Sequence, residues 1–423
     1  MKIYVETYGC SLNQSDSEII MGILKENGFE ITKDEMSADV IIINTCVVKK
    51  PTENKIIKRL EQLQKSGKEN VLIAGCMPKV IQLEKKFPKF SIIGPNQIFK
   101  IAEIVNDVIT GKRVIEIEDI KKSKLNLPKL RTNPVIEIVG ISNGCIGACS
   151  YCCVKIARGE LFSYPMEEIV NEIEKSLEQG VKEIWITSQD NACYGFDVGC
   201  DLANLLKSIC AIKGEFFVRV GMMNPINVKK ILHHLISVYK DEKIFKFLHL
   251  PVQSGSNRIL KKMNRFYEVE DFKEIVNTFR DNFPNITIST DIICGFPGET
   301  DKDFEDSITL IKEIKPDILN ISRFFPRPKT IAEKMEKLPG WKIKERSRKL
   351  TEIFNSIAIE KNKGWVGWSG RVIVDEIGRN KTFVARNFAY KPIVIKSDEN
   401  IFGKFINVKV IDSTKNFLIG EKI

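Results

Sequence analysis

From its start to about residue 320, the sequence alternates between short runs rich in β-branched residues and longer stretches of helical spacing. In residues 1–110 the strand candidates are KIYVETYG, DVIIIN, NVLIAG and FSIIG. Residues 135–320 add six more: VIEIVGI, EIWITS, EFFVRVG, FKFLHL, ITISTDIIC and ILNIS. Strands that alternate with helices form parallel sheets. The first group therefore predicts an open α/β sheet, and the six units of the second predict a partial (β/α)6 barrel of the TIM type.

Two changes of pattern predict where an α/β multidomain chain divides. Residues 121–134 are basic and punctuated by proline, which is typical of a linker. After a helical segment at residues 341–361, the pattern changes to five short strands separated by Gly, Asn and Asp, which predicts a small antiparallel β-barrel. We therefore expect an N-terminal α/β domain at 1–120, a linker at 121–134, a central barrel domain at 135–361 and a C-terminal barrel at 362–423.

The composition excludes several classes of protein. Of 423 residues, 43% are hydrophobic and 28% are charged, as in a folded globular protein. No apolar run approaches the ~18 residues of a membrane span, and MKIYVETYGC lacks the apolar block of a signal peptide, so we expect a cytoplasmic protein with no membrane partner. The net charge is +10, and residues 362–423 contribute eleven Lys and Arg against six Asp and Glu. This excess favours a polyanionic partner.

The residue types of this sequence favour chemistry based on the sulfur of cysteine. It has eleven cysteines, an odd number that argues against a closed disulfide framework, and only three histidines. Cys145, Cys149 and Cys152, hereafter the barrel cysteines, follow the first strand of the predicted barrel with C-x3-C-x2-C spacing. Three thiolates on one loop can hold three irons of a [4Fe–4S] cluster and leave the fourth iron open. The alternative is zinc, which prefers four ligands in paired C-x2-C units, and no second pair or histidine is nearby.

A second set of three cysteines becomes visible only through the predicted strands. Cys10, Cys46 and Cys76, hereafter the sheet cysteines, follow the strands KIYVETYG, VIIINT and VLIAG. Because the carboxyl ends of neighbouring parallel strands meet in one crevice, these thiols can ligate a second cluster. The alternative is three small buried hydrophobic residues, a common use of cysteine. The remaining five are interpreted as mostly structural: Cys153, Cys193, Cys200, Cys210 and Cys294.

These motifs resemble a known family over essentially the whole chain. The C-x3-C-x2-C loop, with Tyr151 before its last cysteine, resembles the radical S-adenosylmethionine (SAM) superfamily. TYGCSLNQSDSE, NTC and AGCMP resemble the methylthiotransferases, and residues 362–423 resemble their TRAM RNA-binding domain. ARGELFSYP, EIWITSQD, RVGMMNP, FLHLPVQSGS, DIICGFPGET and SRFFPRP are most similar to the archaeal and eukaryotic threonylcarbamoyladenosine tRNA branch.

The resemblance implies an enzyme with two [4Fe–4S] clusters and SAM as cofactors. The open iron on the barrel cysteines would bind SAM, which one electron cleaves to a radical able to take hydrogen from an aromatic carbon. The cluster on the sheet cysteines would carry the sulfur, and a second SAM would supply the methyl group. The implied reaction converts N6-threonylcarbamoyladenosine, beside the anticodon of tRNA, to its 2-methylthio derivative.

The implied partners are the anticodon stem-loop of tRNA, an electron donor and a sulfur donor, with the enzyme a monomer. Two alternatives stay open at this point. The substrate can instead be isopentenyladenosine in tRNA or an aspartate of a ribosomal protein. From another class, a zinc-stabilised RNA-binding protein without catalysis would use the same cysteines.

The resemblance also implies which residues contact SAM, whereas the RNA contacts are expected from the basic charge and the aromatic rings of the C-terminal barrel. Tyr151 and the backbone from Ile293 to Gly295 would lie beside the adenine of SAM. Further SAM contacts are expected at or near strand ends, from Ser188, Gln189, Asp190, Arg219 and Gln253. In the C-terminal barrel we expect Trp365, Trp368, Phe388 and Tyr390 to stack on bases, Lys381, Arg386 and Lys391 to contact phosphates, and Phe383 to pack in the core.

Overall fold

The computed structural model describes residues 1–423, beginning with a parallel sheet. Its strands, in the spatial order β2-β1-β3-β4-β5-β6, are β1 (Lys2–Thr7), β2 (Glu30–Thr32), β3 (Val40–Thr45), β4 (Val71–Gly75), β5 (Ser91–Ile93) and β6 (Ile115–Glu116). Its helices are α1 (Ser11–Glu26), α2 (Lys50–Lys65), α3 (Met77–Val80), α4 (Leu83–Lys86) and α5 (Ile101–Ile109). All of its strand pairs are parallel, as predicted.

Both faces of this sheet are covered, which explains the sequence of its central strands. Every residue of β3 and β4 is buried, as expected of parallel strands covered by helices on both sides. Ile41 and Ile43 face one apolar core, whereas Val40 and Ile42 face the other. The sequence therefore has to be apolar at consecutive positions, and the run VIII meets that requirement.

The central part contains the six predicted barrel strands and a small ribbon. The strands are β7 (Ile136–Gly140), β8 (Ser142–Asn143), β9 (Phe162–Ser163), β10 (Glu183–Thr187), β11 (Phe217–Val220), β12 (Phe247–His249), β13 (Thr287–Cys294) and β14 (Ile318–Arg323). The helices are α6 (Val154–Arg158), α7 (Met166–Glu178), α8 (Leu202–Ala211), α9 (Pro225–Val238), α10 (Asn257–Lys262), α11 (Val269–Asn282), α12 (Asp301–Ile314) and α13 (Gly340–Lys363). Strands β7, β10 and β11 form one parallel sheet and β12, β13 and β14 another, and a bridge between Val218 and Ile244 joins them. The partial barrel is therefore confirmed.

The C-terminal part is a closed five-stranded barrel, as expected. Its strands, in the order β15-β16-β17-β19-β18, are β15 (Ser369–Ile377), β16 (Thr382–Arg386), β17 (Pro392–Lys396), β18 (Phe405–Ser413) and β19 (Leu418–Lys422). The pairs are antiparallel except for β17 and β19, which are parallel. No helix of the chain combines the length and apolarity that crossing a membrane requires.

The C-terminal barrel packs beneath the central barrel, at the end where the parallel strands begin. Val135, Phe245 and Phe247 come from that end and share an apolar core with Ile373 and Tyr390 of the C-terminal barrel. The carboxyl ends of the central strands, where the sequence predicts the reactive site, therefore lie at the opposite end.

The segment at residues 121–134 is held firmly between its neighbours. Lys124 Nζ lies 2.8 Å from Asp16 Oδ1, and both side chains are buried. Lys129 is likewise buried between Glu137 and Glu172. A Cβ atom on Gly22 of α1 would come 2.2 Å from the carbonyl oxygen of Pro128, so only glycine allows this close approach. The segment docks the N-terminal sheet to the central barrel, while the expected domain boundaries stay a prediction.

Candidate active site

The barrel cysteines lie on a loop just beyond β7 and β8. Gly147 lies between two of them, because a Cβ atom there would come 3.2 Å from Cys145 Sγ and 3.9 Å from Cys149 Sγ. The Gly147 N–H donates to Cys145 Sγ at 3.2 Å. Ser150 fixes the loop by donating from its backbone N–H to the Met263 carbonyl at 3.0 Å. All three thiols are half-buried, so they are held in place yet accessible.

Burial raises the pKa of two of these thiols, Cys145 and Cys152, and makes them poor acids while they are unligated. It raises the pKa of Cys145 to about 11, with the charge of Asp190 adding to the effect. It raises the pKa of Cys152 to about 12, and the nearby Cys149 and Cys145 thiols add to this shift. A bound metal would favour the thiolates and release their protons.

The sheet cysteines meet at the carboxyl edge of the N-terminal sheet, as the strands predicted. Cys46 and Cys76 directly follow β3 and β4, and Cys10 immediately precedes α1. Cys46 and Cys76 are buried, whereas Cys10 is exposed. Gly9 adopts φ of +117°, and a Cβ atom there would come 2.9 Å from Cys46 Sγ. Burial raises the pKa of Cys46 to about 11, and the charges of Cys76 and Cys10 add to the shift.

A buried arginine contacts each set of cysteines. Arg158, at the end of α6, donates from Nε to Cys76 Sγ at 3.3 Å. Arg265 donates from Nη1 to Cys149 Sγ at 3.3 Å. The sequence interpretation missed both. Arg158 lies in the motif ARGELFSYP, which could have indicated it, whereas no local signal distinguishes Arg265.

These donor sets fit iron–sulfur clusters. Each set offers three thiols, and each has a cationic N–H donor on one sulfur, which stabilises negative charge there. No three His, Cys, Asp or Glu side chains are arranged to hold a single metal ion. A [4Fe–4S] cluster does not require such convergence, because each cysteine ligates a different iron.

The polar residues after β10 divide into two kinds. Ser188 Oγ and Gln189 Oε1 are buried and have no hydrogen-bond partner, so they are available to a polar ligand. Asp190 is fully engaged: its carboxylate accepts from the backbone N–H groups of Ala192 at 3.1 Å and Asn224 at 2.9 Å, and from Asn227 Nδ2 at 2.7 Å. Asp190 therefore holds the loop that presents its two neighbours, and its direct contact with SAM stays a prediction.

The backbone from Ile293 to Gly295, which is expected to lie beside the adenine of SAM, is at the end of β13. Gln253 has φ of +73° and accepts from the Ile293 backbone N–H at 2.9 Å. Gly295 has φ of +78°, and a Cβ atom there would come 2.5 Å from Ile343 Cγ1. Tyr151 packs edge-on against Phe296, with ring centroids 6.3 Å apart. The structure thus brings Tyr151 and the end of β13 together on one side of the barrel cysteines.

Arg219 lies elsewhere. Its guanidinium carbon is 4.9 Å from the Trp185 ring, 5.2 Å from Phe247 and 5.1 Å from Tyr390 of the C-terminal barrel. These neighbours place the side chain at the floor of the central barrel, away from its carboxyl end. The expected contact of Arg219 with SAM therefore has no support in the structure.

Several expectations for the C-terminal barrel are wrong. Lys391 is buried, with Nζ 2.8 Å from Asp317 Oδ1 of the central barrel, and Arg386 pairs with the buried Asp375 at 3.0 Å. Tyr390 is buried in the interface between the barrels. Lys391 and Tyr390 hold the two barrels together, and Arg386 is paired within the C-terminal barrel, so none of the three is free to contact RNA. In the barrel strands and their loops, residues 369–423, the cations that are exposed and without an ion pair or hydrogen-bond partner are Arg379, Lys396, Lys404, Lys409 and Lys415.

The remaining expectations for that barrel have mixed outcomes. Phe383 packs in the barrel core, as expected. Trp365, Trp368 and Phe388 pack against one another with centroids about 6 Å apart and keep partial exposure, so their stacking on bases stays a prediction. Lys381 is exposed but pairs with Asp398 at 2.7 Å.

Comparison with known proteins identifies the class. Three family models match in order: one described as Uncharacterized protein family UPF0004 at residues 2–94, the Radical SAM superfamily at 139–311, and the TRAM domain at 366–423. The radical SAM methyltransferase TsrM from Kitasatospora setae, solved with cobalamin and a [4Fe–4S] cluster, shares the fold with a TM-score of 0.56 at 14% identity, over 78% of this chain and 76% of that one. The partial barrel is therefore a radical SAM domain.

Full-length relatives identify the family. The probable threonylcarbamoyladenosine tRNA methylthiotransferase of Pyrococcus abyssi is 44% identical over 100% of this chain and 99% of its own length. The threonylcarbamoyladenosine tRNA methylthiotransferase of Homo sapiens is 38% identical over 100% of this chain and 74% of its own length. The chain belongs to the threonylcarbamoyladenosine tRNA methylthiotransferase family, which confirms the resemblance.

Proposed function

We propose that this chain is a tRNA methylthiotransferase that converts N6-threonylcarbamoyladenosine beside the anticodon to its 2-methylthio derivative. The observation that carries this proposal is the presence of two cysteine sets at the carboxyl edges of two parallel sheets. They occur in a chain that matches enzymes of that name over its whole length.

The residues of this chain would bind and orient the cofactors. The barrel cysteines would hold one [4Fe–4S] cluster and the sheet cysteines the other. When bound, the clusters and SAM supply the electron, sulfur and methyl group that side chains cannot provide. Gly147 and Gly9 leave room beside the sulfurs, and the unpartnered Ser188 Oγ and Gln189 Oε1 would orient SAM.

The proposed substrate and partners rest on the exposed charges of the chain and on the chemistry that its side chains lack. The five exposed, unpaired cations of the C-terminal barrel, Arg379, Lys396, Lys404, Lys409 and Lys415, would bind phosphates of the anticodon stem-loop. Because no side chain is a source of low-potential electrons or of sulfide, a separate electron donor and a sulfur donor act with the enzyme. The net charge of +10 favours a monomer with a polyanionic partner, which is tRNA in this proposal, and the proposed compartment is the cytoplasm.

Nucleoside mass spectrometry of tRNA from a deletion strain tests the proposal. The 2-methylthio derivative of threonylcarbamoyladenosine should disappear, return with the wild-type gene, and stay absent with the Cys149→Ala gene. Loss of a methylthio isopentenyladenosine, or of a modified ribosomal-protein aspartate, would instead assign one of the other substrates. Zinc without iron or sulfide in the anaerobically purified protein would support the non-catalytic RNA-binding alternative.

A further inference from the structure

Each set of cysteines is contacted by one buried arginine whose N–H points at a ligand sulfur. We propose that Arg158 and Arg265 are positioning residues for the two iron–sulfur clusters, and that each raises the reduction potential of its own cluster. This inference rests on the proposed function, which places the clusters on these cysteines. It extends that function by assigning a role to two residues outside the ligand sets.

Arg158 connects the two halves of the site. It ends α6, six residues after Cys152, and therefore belongs to the central barrel, yet its Nε donates across to Cys76 Sγ of the N-terminal sheet at 3.3 Å. Its Nη2 donates to Asn13 Oδ1 at 2.6 Å and lies 2.7 Å from Asp16 Oδ2. The side chain is 2% exposed, so these contacts fix its position. The site formed by the sheet cysteines therefore includes a residue of the central barrel.

The partners of Arg158 order the loops that carry the sheet cysteines. Asn13 Nδ2 donates to the carbonyls of Tyr8 and Thr45, both at 2.8 Å, and these residues lie next to Gly9–Cys10 and Cys46. One guanidinium therefore reaches a sulfur directly and, through Asn13, the backbone beside the other two. Loss of Arg158 should disturb all three ligands together.

Arg265 has a different set of partners. Its Nη1 donates to Cys149 Sγ at 3.3 Å, its Nη2 to the Pro251 carbonyl at 3.1 Å and its Nε to Tyr267 Oη at 3.1 Å. No carboxylate is hydrogen bonded to it, although it is only 9% exposed. The sulfur of Cys149 is therefore the only atom hydrogen bonded to Arg265 that would become an anion by ligating a metal. That arrangement suits a site that holds a ligated thiolate.

The physical effect of both arginines has a definite sign. Reduction adds a negative charge to a cluster, and part of that charge resides on the ligand sulfurs. A cationic donor on such a sulfur stabilises the reduced form and raises the potential. Residues that hydrogen bond to metal ligands also tighten metal binding, typically by about 10–100-fold. Replacement by glutamine removes the charge, whereas lysine keeps the charge but loses the fixed fork of donors.

Paired variants of the full chain test this inference, because each arginine serves as the control for the other. Arg158→Gln and Arg158→Lys are made in the Cys149→Ala background, and Arg265→Gln and Arg265→Lys in a background with the sheet cysteines changed to Ala. After anaerobic reconstitution, iron, sulfide and the potential of the single remaining cluster are measured. Both glutamine variants should shift the reduction equilibrium at least tenfold toward the oxidised form, which is about 59 mV for one electron. The lysine variants should shift it less.

The same substitutions in the otherwise wild-type chain complete the test. Arg158→Gln should weaken only the cluster on the sheet cysteines, and Arg265→Gln only the other, so the unaffected cluster reports that the chain is folded. If a glutamine variant does not fold, the lysine variant decides through the iron and sulfide content of the affected cluster, which should fall because lysine lacks the fixed fork of donors. Changes below twofold, or equal changes in both clusters from either variant, would overturn the inference. Failure of the proposed function would appear separately, as iron-loaded wild-type protein that yields no methylthio nucleoside.

Discussion

Lys391 Nζ of the C-terminal barrel lies 2.8 Å from Asp317 Oδ1 of the central barrel, and both side chains are buried. Removing one partner of a buried ion pair leaves an uncompensated charge, which costs up to about 3–5 kcal/mol. Lys361 Nζ, 3.6 Å from the same oxygen, retains part of the compensation. We therefore expect Lys391→Met to lower the free energy of unfolding by about 2 kcal/mol, the range of a charged hydrogen bond.

Denaturant unfolding measured by circular dichroism checks this value. The matched control is Lys381→Met, since Lys381 also pairs with an aspartate but is exposed. That variant should lower the free energy of unfolding by less than about 1 kcal/mol. Equal decreases from both variants would contradict the view that Lys391 anchors the barrel.

The buried carboxyl group of Glu183, at the floor of the central barrel, should make the stability of the protein depend on pH. Burial raises the pKa of Glu183 from 4.5 to about 8, and the charge of Asp375 adds to the effect. Because the folded pKa lies above the unfolded one, the folded state binds the extra proton between pH 4.5 and about 8. Its contribution to stability is complete below the unfolded pKa and is lost as the pH rises through that window.

The isosteric variant Glu183→Gln removes this titration. Relative to wild type, it should become progressively more stable between about pH 5 and pH 8, as measured by thermal unfolding at several pH values. Glu215→Gln, which changes an exposed carboxylate of the same part of the chain, is the control and should show no such trend. A constant difference between Glu183→Gln and wild type across this pH range would contradict the prediction.

Much of this fold was predictable because its strands carry strong local signals. Parallel strands covered on both faces need consecutive apolar residues, and the short length and β-branched residues of VIIINT and VLIAG favour a strand over a buried helix. The sheet cysteines were found for the same reason, since they follow such strands, whereas the C-x3-C-x2-C spacing indicated the barrel cysteines. That either set ligates a cluster stays a prediction. The edge strands β2 and β6 were missed, because EIT and IE are too short and polar to show a pattern.

The charged residues were predicted less well, because charge pairing depends on tertiary contacts. The sequence predicts that the C-terminal barrel is basic, but it does not show which cations face inward. Lys391 pairs with Asp317, which lies 74 positions away along the chain. Arg386 pairs with Asp375, which lies 11 positions away. Arg265 was missed in the same way, since its partner Cys149 is 116 positions distant.

The barrel cysteines should be indispensable for SAM cleavage. Cys149→Ala should abolish release of 5′-deoxyadenosine, because two thiolates do not hold a site-differentiated cluster securely. Iron content should fall by about half, since the cluster on the sheet cysteines remains. Anaerobic chromatography and iron analysis measure both. Cys210→Ala, on the outer helix α8, is the control and should keep activity and iron; wild-type cleavage by Cys149→Ala would refute the assignment.

The two cysteine sets should separate in function. Changing Cys10, Cys46 and Cys76 to Ala should leave cleavage of SAM measurable, because the barrel cysteines lie on a different loop. No methylthio nucleoside should form, since the sulfur would have no iron to bind. Mass spectrometry of the treated tRNA and assay of 5′-deoxyadenosine report the two steps. Normal thiolation, or complete loss of cleavage in a variant that is folded by circular dichroism, would rule out separate roles.

The exposed cations of the C-terminal barrel provide the sharpest test of tRNA binding. Deleting everything from Asn362 onward should weaken tRNA binding and spare SAM cleavage, but it would also expose Phe245 and Phe247 and leave Asp317 without Lys391. The triple variant of Lys396, Lys404 and Lys409 to Ala avoids this damage, because these side chains are exposed and make no ion pair.

We expect the triple variant to bind tRNA more weakly while its rate of SAM cleavage is unchanged. For every phosphate that the variant no longer binds, the magnitude of the slope of log K against log salt should decrease by about 0.7–0.9. The control removes equal charge from α2, through Lys55, Lys58 and Lys65 to Ala, and should change that slope less. Binding is measured by fluorescence anisotropy from low to high salt. An unchanged slope in the barrel variant, or an equal change in both triple variants, would show that the C-terminal barrel makes no specific phosphate contacts and serves only to cap the central barrel.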